Sequence, residues 1–434
     1  MTWAPLLRLQ EALGPDAELV IVGGAVRDEL LGRPHADWDL ATRLLPEAVM
    51  ARSRAAGLKV VPTGLKHGTV TVILEDRPVE VTTFRSDGDY LDGRRPESVR
   101  LGVTLEEDLS RRDFTINAMA LPVGGDALVD PFGGRADLAA RRIRAVGDPL
   151  QRFAEDGLRP LRACRFAAQL DFTVDPRTLA AIPQRLEVAA KVAPERVFHE
   201  LDKLLRGQAP DRGLELLEAC GLLDLWLPEL RPVVARSGTA PAGPGSWART
   251  LAVVREAPAA SEPRWAALMC EAGTHPDPAS VLETAAAVLD RLRASHALRK
   301  GASALIRRHA TIPDDGWGDA DCRRFLQALA QDGLDLQAWG AFREACLRGS
   351  GAEAGQGEAG HRSLMGRLER LAAEATALTV RDLVLDGGAL MRLAGRHGGP
   401  WLGALQARLL EAVIEDPAAN TPERLTELAR SYLA

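Results

Sequence analysis

The sequence predicts an α+β protein, an α/β head followed by a long run of helices. Three observations predict it. Between Leu58 and Arg85, the segments LKVVPTG, HGTVTVIL and RPVEVTTFR show the β-branched enrichment and turn punctuation of adjacent strands. Beyond Asp211 the chain reads as helical and poor in motifs. At 434 residues it is too long for one ordinary core, so two or more domains are expected.

Bulk properties narrow the class. A hydrophobic content of 46% and a charged content of 26% fit a globular chain. The net charge of −6 argues against an overall polyanion-binding surface but leaves room for a local basic groove. Five cysteines (Cys164, Cys220, Cys270, Cys322, Cys346) are widely spaced and free of any CxxC, which suggests neither a disulfide framework nor a zinc site. The N-terminal MTWAPLLRLQEALG lacks a basic start and a long apolar core, and no later apolar run reaches the length of a membrane span. A cytoplasmic location without membrane contact is expected.

Residues 1 to about 18 read as a helix. The stretch LVIVGGAVRDELLGRPHADWDLAT, Leu19 to Thr42, then reads as strand, tight turn and helix, ending at Gly32. Gly23 and Gly24 allow positive φ and close approach of a ligand to the backbone, and the helix start offers unpaired N–H groups to a phosphate. Asp37 and Asp39 flank Trp38 in an extended segment, where a period of two turns both carboxylates to one face. Two acids on one face repel unless a cation joins them, and Mg²⁺ is the natural partner. Taken separately, a double glycine is usually a turn and a DxD is often a solvated strand. Together they form the two halves of a nucleotidyl-transfer site.

A helix is predicted over 45–56, followed by the three strands. Glu80, in the middle of the third, could add a carboxylate to the Asp37/Asp39 site or be a surface strand glutamate. From Phe84 to Arg112, the glycines, Pro96 and a dense charge mix describe a mobile surface loop. RRDFTINAMALP, Arg111 to Pro122, reads as the solvated entrance of an apolar helix. DPFGGRADL, Asp130 to Leu138, is a glycine turn leading into a helix. From Arg144 to Phe172, Asp156, Arg159, Arg162 and Arg165 recur every three residues along one helical stripe. Such a stripe marks either a solvated face or an anion-binding ridge. Pro160 implies a helix beginning near Asp156 or a local kink. VAPERVFHELDKLLRG opens a helix whose Val197, Leu201, Leu204 and Leu205 suit a buried stripe. Residues 236–246 and 348–360 read as small-residue loops or linkers.

GGAVRD, LLG and DWDLAT resemble the signature of polymerase-beta-like nucleotidyltransferases. Within them they resemble the class II tRNA nucleotidyltransferase and bacterial poly(A) polymerase family. RRDFTINA resembles that family's motif B, DPFGGRADL its motif C region, EDGLRPLRACRF its motif D and PERVFHELDKLL its motif E. The stretch from about residue 384 resembles the tail of bacterial members. The charged loop resembles the family's flexible loop and looks undeleted, which counts against a CC-only enzyme. One departure is Gly157, where many members have proline after the ED pair.

The resemblance implies a head over 1–145, a neck selecting the nucleobase over 146–210, a body over 211–350 and a tRNA-binding tail over 351–434. It implies that Asp37 and Asp39 hold Mg²⁺, and that Gly23, Gly24 and Arg27 position the phosphates. Arg112 would contact the nucleotide and Asp113 would help hold the ribose. Asp156 and Arg159 would satisfy the pairing edge of the incoming base, with Arg162 and Arg165 facing the phosphates. The implied activity is template-independent addition of CCA to tRNA from CTP and ATP, with the acceptor and T arms held by shape. An enzyme adding only the terminal A, or a poly(A) polymerase, shares every motif quoted.

Overall fold

A computed structural model describes residues 3–34, 38–88, 99–236, 247–273, 277–310, 316–350, 354–374 and 377–434. The chain forms two compact units, Met1–Pro228 and Glu229–Ala434.

The first unit begins with helix α1 (Ala4–Leu13), which stops short of residue 18 because Gly14 takes a φ of +85° and Pro15 opens a separate 3-10 turn. The predicted strand, turn and helix follow as β1 (Val20–Val22), Gly23 at φ +71° and α2 (Gly24–Leu30). Next come β2 (Asp39–Thr42), α3 (Pro46–Ala55), β3 (Lys59–Gly64), β4 (Thr69–Leu74) and β5 (Arg77–Thr83), in keeping with the β-branched block. On β5, Val79, Val81 and Thr83 are buried while Glu80 is exposed, the alternation of a strand with one covered face.

At its described ends, the stretch from Phe84 to Arg112 is more ordered than its composition predicts. Its described ends form an antiparallel ribbon, β6 (Arg85–Asp87) against β7 (Val99–Leu101), and a short helix, α4 (Leu105–Ser110). A Thr104/Glu107 capping box holds the start of α4, a signal present in the sequence but hidden among the charges. Residues 89–98 lie outside the described residues.

RRDFTINAMALP is not a helix. After α4 it passes through a single 3-10 turn, Thr115–Asn117, into strand β8 (Ala120–Pro122). Every residue from Asp113 to Ala120 is buried, so no apolar periodicity separates strand from helix there. The six-stranded sheet has the order β3-β4-β5-β2-β1-β8, with β2 and β5 parallel and the other neighbours antiparallel. Val20, Val22, Ala41, Phe84, Leu109 and Ala120 pack together under it.

The rest of the unit is mostly helical: α5 (Gly134–Ala139), strand β9 (Arg142–Ile143), α6 (Pro149–Glu155), α7 (Arg159–Leu170), strand β10 (Thr173–Val174), α8 (Pro176–Ala181), α9 (Leu186–Ala189), α10 (Pro194–Leu205), α11 (Pro210–Ala219) and α12 (Leu222–Trp226). The predicted stripe of α10 is buried at Val197, Leu201, Leu204 and Leu205.

The second unit is helical among its described residues: α13 (Arg231–Ala235), α14 (Trp247–Glu256), α15 (Ser261–Met269), α16 (Pro278–Arg291), α17 (His296–Ala310), α18 (Asp319–Asp332), α19 (Leu336–Arg348), α20 (Ala354–Ala373), α21 (Gly387–Ala394), α22 (Pro400–Glu415) and α23 (Pro422–Leu433). Helix α20 takes in residues 354–360, which small-residue composition marks as linker; residues 237–246 and 351–353 lie outside the described residues. No helix among the described residues is long and apolar enough to cross a membrane. All five cysteines are free.

Candidate active site

The first unit carries an open polar cleft of about 630 Å³. It gathers Gly23, Gly24 and Arg27 from the turn and α2, Asp39 from β2, Arg112 and Asp113 before the 3-10 turn, and Asp156, Arg159, Arg162 and Arg165 from the junction and helix that follow α6. Every described residue that the sequence assigns to the site therefore lines it, apart from Glu80. Asp37 lies outside the described residues.

Gly23 is required where it stands. Its φ is in the left-handed region, and a Cβ there would lie 3.0 Å from Arg112 Nη1 and 3.7 Å from Asp39 Oδ2. The glycine thus lets a cationic and an anionic side chain converge on bare backbone. Asp39 is exposed, and the parallel register sets it opposite Glu80 on β5, another exposed carboxylate. Carboxylate oxygens suit a hard divalent cation, and Asp39 is open to one. Among the described residues no group of three metal-ligating side chains converges.

The second half of the site differs from the single stripe expected. Asp148 caps α6, Pro149 starts it, and Asp156 ends it at φ −138° and ψ +111°, so Asp156 stands in a junction rather than on a helix. Its backbone carbonyl accepts from Arg159 N at 3.0 Å and its Oδ1 from Leu158 N at 3.0 Å, a local turn that restarts the chain as α7. Pro160 then sits in the first turn of α7, where a missing N–H costs nothing. Asp156 Oδ2 pairs with Arg196 of α10 at 2.9 Å. Arg159 pairs with Glu155 and donates to the carbonyls of Arg152 and Arg111, each at 2.9 Å.

Deeper in the cavity, Arg162 pairs with Asp113 at 2.6 Å and with Glu200 of α10 at 3.3 Å, while Arg165 pairs with Glu200 at 2.8 Å. Burial alone would raise the Asp113 carboxyl, but the Arg162 guanidinium and the Asn117 amide outweigh it and hold Asp113 well below the usual carboxylate range. Burial lowers Arg165 to about 10 despite the attraction of Glu200. Arg27 makes two 2.9 Å bonds to Asp28 and one of 2.8 Å to Asn117. Arg111 and Arg112 share Asp108, at 2.8 and 3.2 Å. Burial works against ionised Asp108, and these two cations more than offset it.

Sequence reading missed the partners that fix these side chains, Asp108, Asn117, Glu155 and Glu200 on the arginines and Arg196 on Asp156, together with Phe166 and Lys203 in the cavity wall. One signal for Glu200 was available. It falls on the apolar stripe of α10, and a glutamate there needs a buried cation.

The chain matches the family described as the poly A polymerase head domain over residues 19–144, and the probable RNA and SrmB-binding site of polymerase A over residues 171–233. It is 35% identical to the CCA-adding enzyme of Geobacillus stearothermophilus over 424 residues, covering 96% of this chain and 95% of that one. The CCA-adding enzyme of Levilactobacillus brevis is 48% identical over 218 residues, about half of each chain. The crystal structure of the Bacillus stearothermophilus CCA-adding enzyme in complex with CTP superposes with a TM-score of 0.76 at 31% identity, covering 99% of this chain and 96% of that one. Near-full-length similarity of this kind, joined to the glycine turn and the arginine-lined cavity, places the chain in the class II tRNA nucleotidyltransferase and bacterial poly(A) polymerase family.

Proposed function

We propose that this protein adds CCA to the 3′ end of tRNA, using CTP and ATP and no nucleic-acid template. One observation carries the reading: a single cavity joins Asp39 and the glycine turn, suited to a metal-bound triphosphate, to Asp156 and Arg159, suited to the edge of a base. In each cycle the terminal 3′-oxygen bonds to the α-phosphorus, the bond from that phosphorus to the β-phosphate oxygen breaks, and pyrophosphate leaves. Asp37 and Asp39 would hold Mg²⁺, which would supply charge neutralisation for the triphosphate and a more acidic 3′-hydroxyl. Gly23 and Gly24 admit the phosphates to the backbone beside Arg27. Among the described residues the buried Nε of Arg112 has no hydrogen-bond partner, which supports its assignment to the nucleotide, with Asp113 behind it on the ribose side.

Asp156 and Arg159 choose the base, and their fixed partners Arg196 and Glu155 keep them from pairing with each other. Arg162 and Arg165 add positive potential beneath the phosphates. The helices beyond the head hold the acceptor and T arms by shape and backbone contact. The compartment in this reading is the cytoplasm, in keeping with five free thiols.

The test uses purified protein with tRNAs ending before C74, after C74 and after C75, given CTP and ATP separately and together. Stepwise completion to CCA from all three is expected. Extension only of the tRNA that ends after C75 would replace the proposal with an A-adding enzyme, and long A tails with a poly(A) polymerase.

A further inference from the structure

Three guanidinium groups converge on one phenyl ring. The Cζ atoms of Arg27, Arg162 and Arg165 lie 5.2, 5.3 and 3.5 Å from the centroid of Phe166. The ring is 3% exposed, and Phe114 meets it edge-on at 5.6 Å. Like charges gathered so closely repel, so something must favour the arrangement. Three carboxylates and an amide do part of this, beginning with Asp28, which takes two bonds from Arg27. Arg27 donates to Asn117 Oδ1 at 2.8 Å, Asn117 Nδ2 donates to Asp113 Oδ1 at 3.0 Å, and Arg162 and Arg165 meet on Glu200. The chain of contacts runs from α2 to α7 and closes around Phe166.

An aliphatic side chain could fill the same space, but it has no negative face to attract cations. A phenyl face has one, and its pull on a guanidinium strengthens away from water. We infer that Phe166 is a positioning residue for the incoming nucleotide, its ring holding Arg27 of the glycine turn in register with Arg162 and Arg165 of α7. This rests on the nucleotidyl-transfer reading and deepens it. It also makes a particular demand: affinity for CTP and ATP should change together, because the three cations the ring gathers are those assigned to the phosphates and not the pair assigned to the base.

The test replaces Phe166 with phenylalanine carrying one, two or three ring fluorines, which drain the π face stepwise at nearly constant size, and separately with leucine. Expected is a KM for CTP and for ATP that climbs with each fluorine, reaching about tenfold in the trifluoro protein and in Phe166→Leu, while Tm stays level across the fluorine series. A tenfold change is about 1.4 kcal/mol. A KM indifferent to fluorination in a protein that extends tRNA would overturn the inference and leave the ring as packing. The Nε–Hε resonances of the three arginines give an independent readout. They should be ring-current shifted in the parent and move toward free values in Phe166→Leu, and unshifted parent resonances also overturn the inference. If the parent extends no tRNA, the nucleotidyl-transfer reading fails, and those resonances still decide whether the ring orders the arginines.

Discussion

Gly157 is the position where the smallest change should do the most harm. It follows Asp156 in the junction between α6 and α7, and its φ is not in the left-handed region, so conformation alone would admit alanine. Space would not. A Cβ at Gly157 would lie 2.4 Å from the carbonyl oxygen of Val188 and 2.7 Å from its carbon, both backbone atoms of α9. Ordinary contact needs about 3.5 Å, so the junction must retreat by roughly 1 Å. Overpacking of this kind costs about 1–3 kcal/mol, against roughly 0.4–1 kcal/mol gained by stiffening the unfolded chain. The clash therefore decides the sign. For a unit of this size each kcal/mol moves Tm by about 2–4 °C, so Gly157→Ala should melt several degrees lower. The retreat also shifts Asp156 relative to its partner Arg196, and a displacement of about 1 Å at a positioning group can cost about 10²-fold in rate. Calorimetry and separate CTP and ATP incorporation on tRNAs of defined end measure both effects. An unchanged or raised Tm with intact nucleotide choice would refute the steric reasoning.

Other outcomes follow from the same structure. Asp37→Asn and Asp39→Asn should abolish incorporation and leave tRNA binding nearly unchanged, and Asp39→Asn should leave Tm within about 1–2 °C because Asp39 is exposed; surviving activity would remove the metal assignment. His309 of α17 is held down to about 4 by burial, with Arg249 and Arg343 adding to it, against 6.5 for the free side chain. Between pH 6.5 and 4 the unfolded chain takes up a proton that the folded chain refuses, so stability of the Glu229–Ala434 unit should fall as pH drops through that window, by as much as about 3 kcal/mol. In His309→Gln that slope should shrink in Tm measured against pH, the remainder belonging to His361, whose imidazole burial also lowers, and an unaltered slope would assign it to other groups. Gly366 in α20 and Gly403 in α22 face open space in helix interiors. Alanine at each should stabilise by about 0.5–1 kcal/mol, read as a higher urea midpoint.

What the sequence made legible was local. The strand block, the glycine bend and the apolar stripe of α10 each depend on neighbours a few residues apart, and each formed as its spacing predicts. The misreadings share a cause as well. A three-residue recurrence from Asp156 to Arg165 looks like one helix until Asp148 and Pro149 are seen to start an earlier one that ends at Glu155. FTINAMA gave no period because it is buried on all sides. Gly157 stands where many family members have proline, and nothing local shows why; its lack of a Cβ is what lets α9 pack against the junction. Partners such as Glu200, 38 residues from Arg162, are set by tertiary packing, which no window of local spacing contains.

The long-range partners also explain how a chain of net charge −6 can present a site for a polyanion. Seven cationic side chains line the cavity against three carboxylates. Most of the acids that steer those cations, Asp108 and Glu200 above all, are buried behind them. Acids placed in that way subtract from the attraction a triphosphate feels, and a site built for raw affinity would omit them. What they add is order. A free arginine carries about 2 kcal/mol of rotamer entropy, and one already fixed by a carboxylate loses little more when a phosphate or a base arrives. The same fixing excludes alternative geometries, which matters more here than strength, because in a template-independent enzyme protein side chains must distinguish cytosine from adenine. Glu155 holding Arg159 and Arg196 holding Asp156 are the clearest instances: the two groups proposed to meet the base are each tied to a different helix, so neither can collapse onto the other before a nucleotide enters.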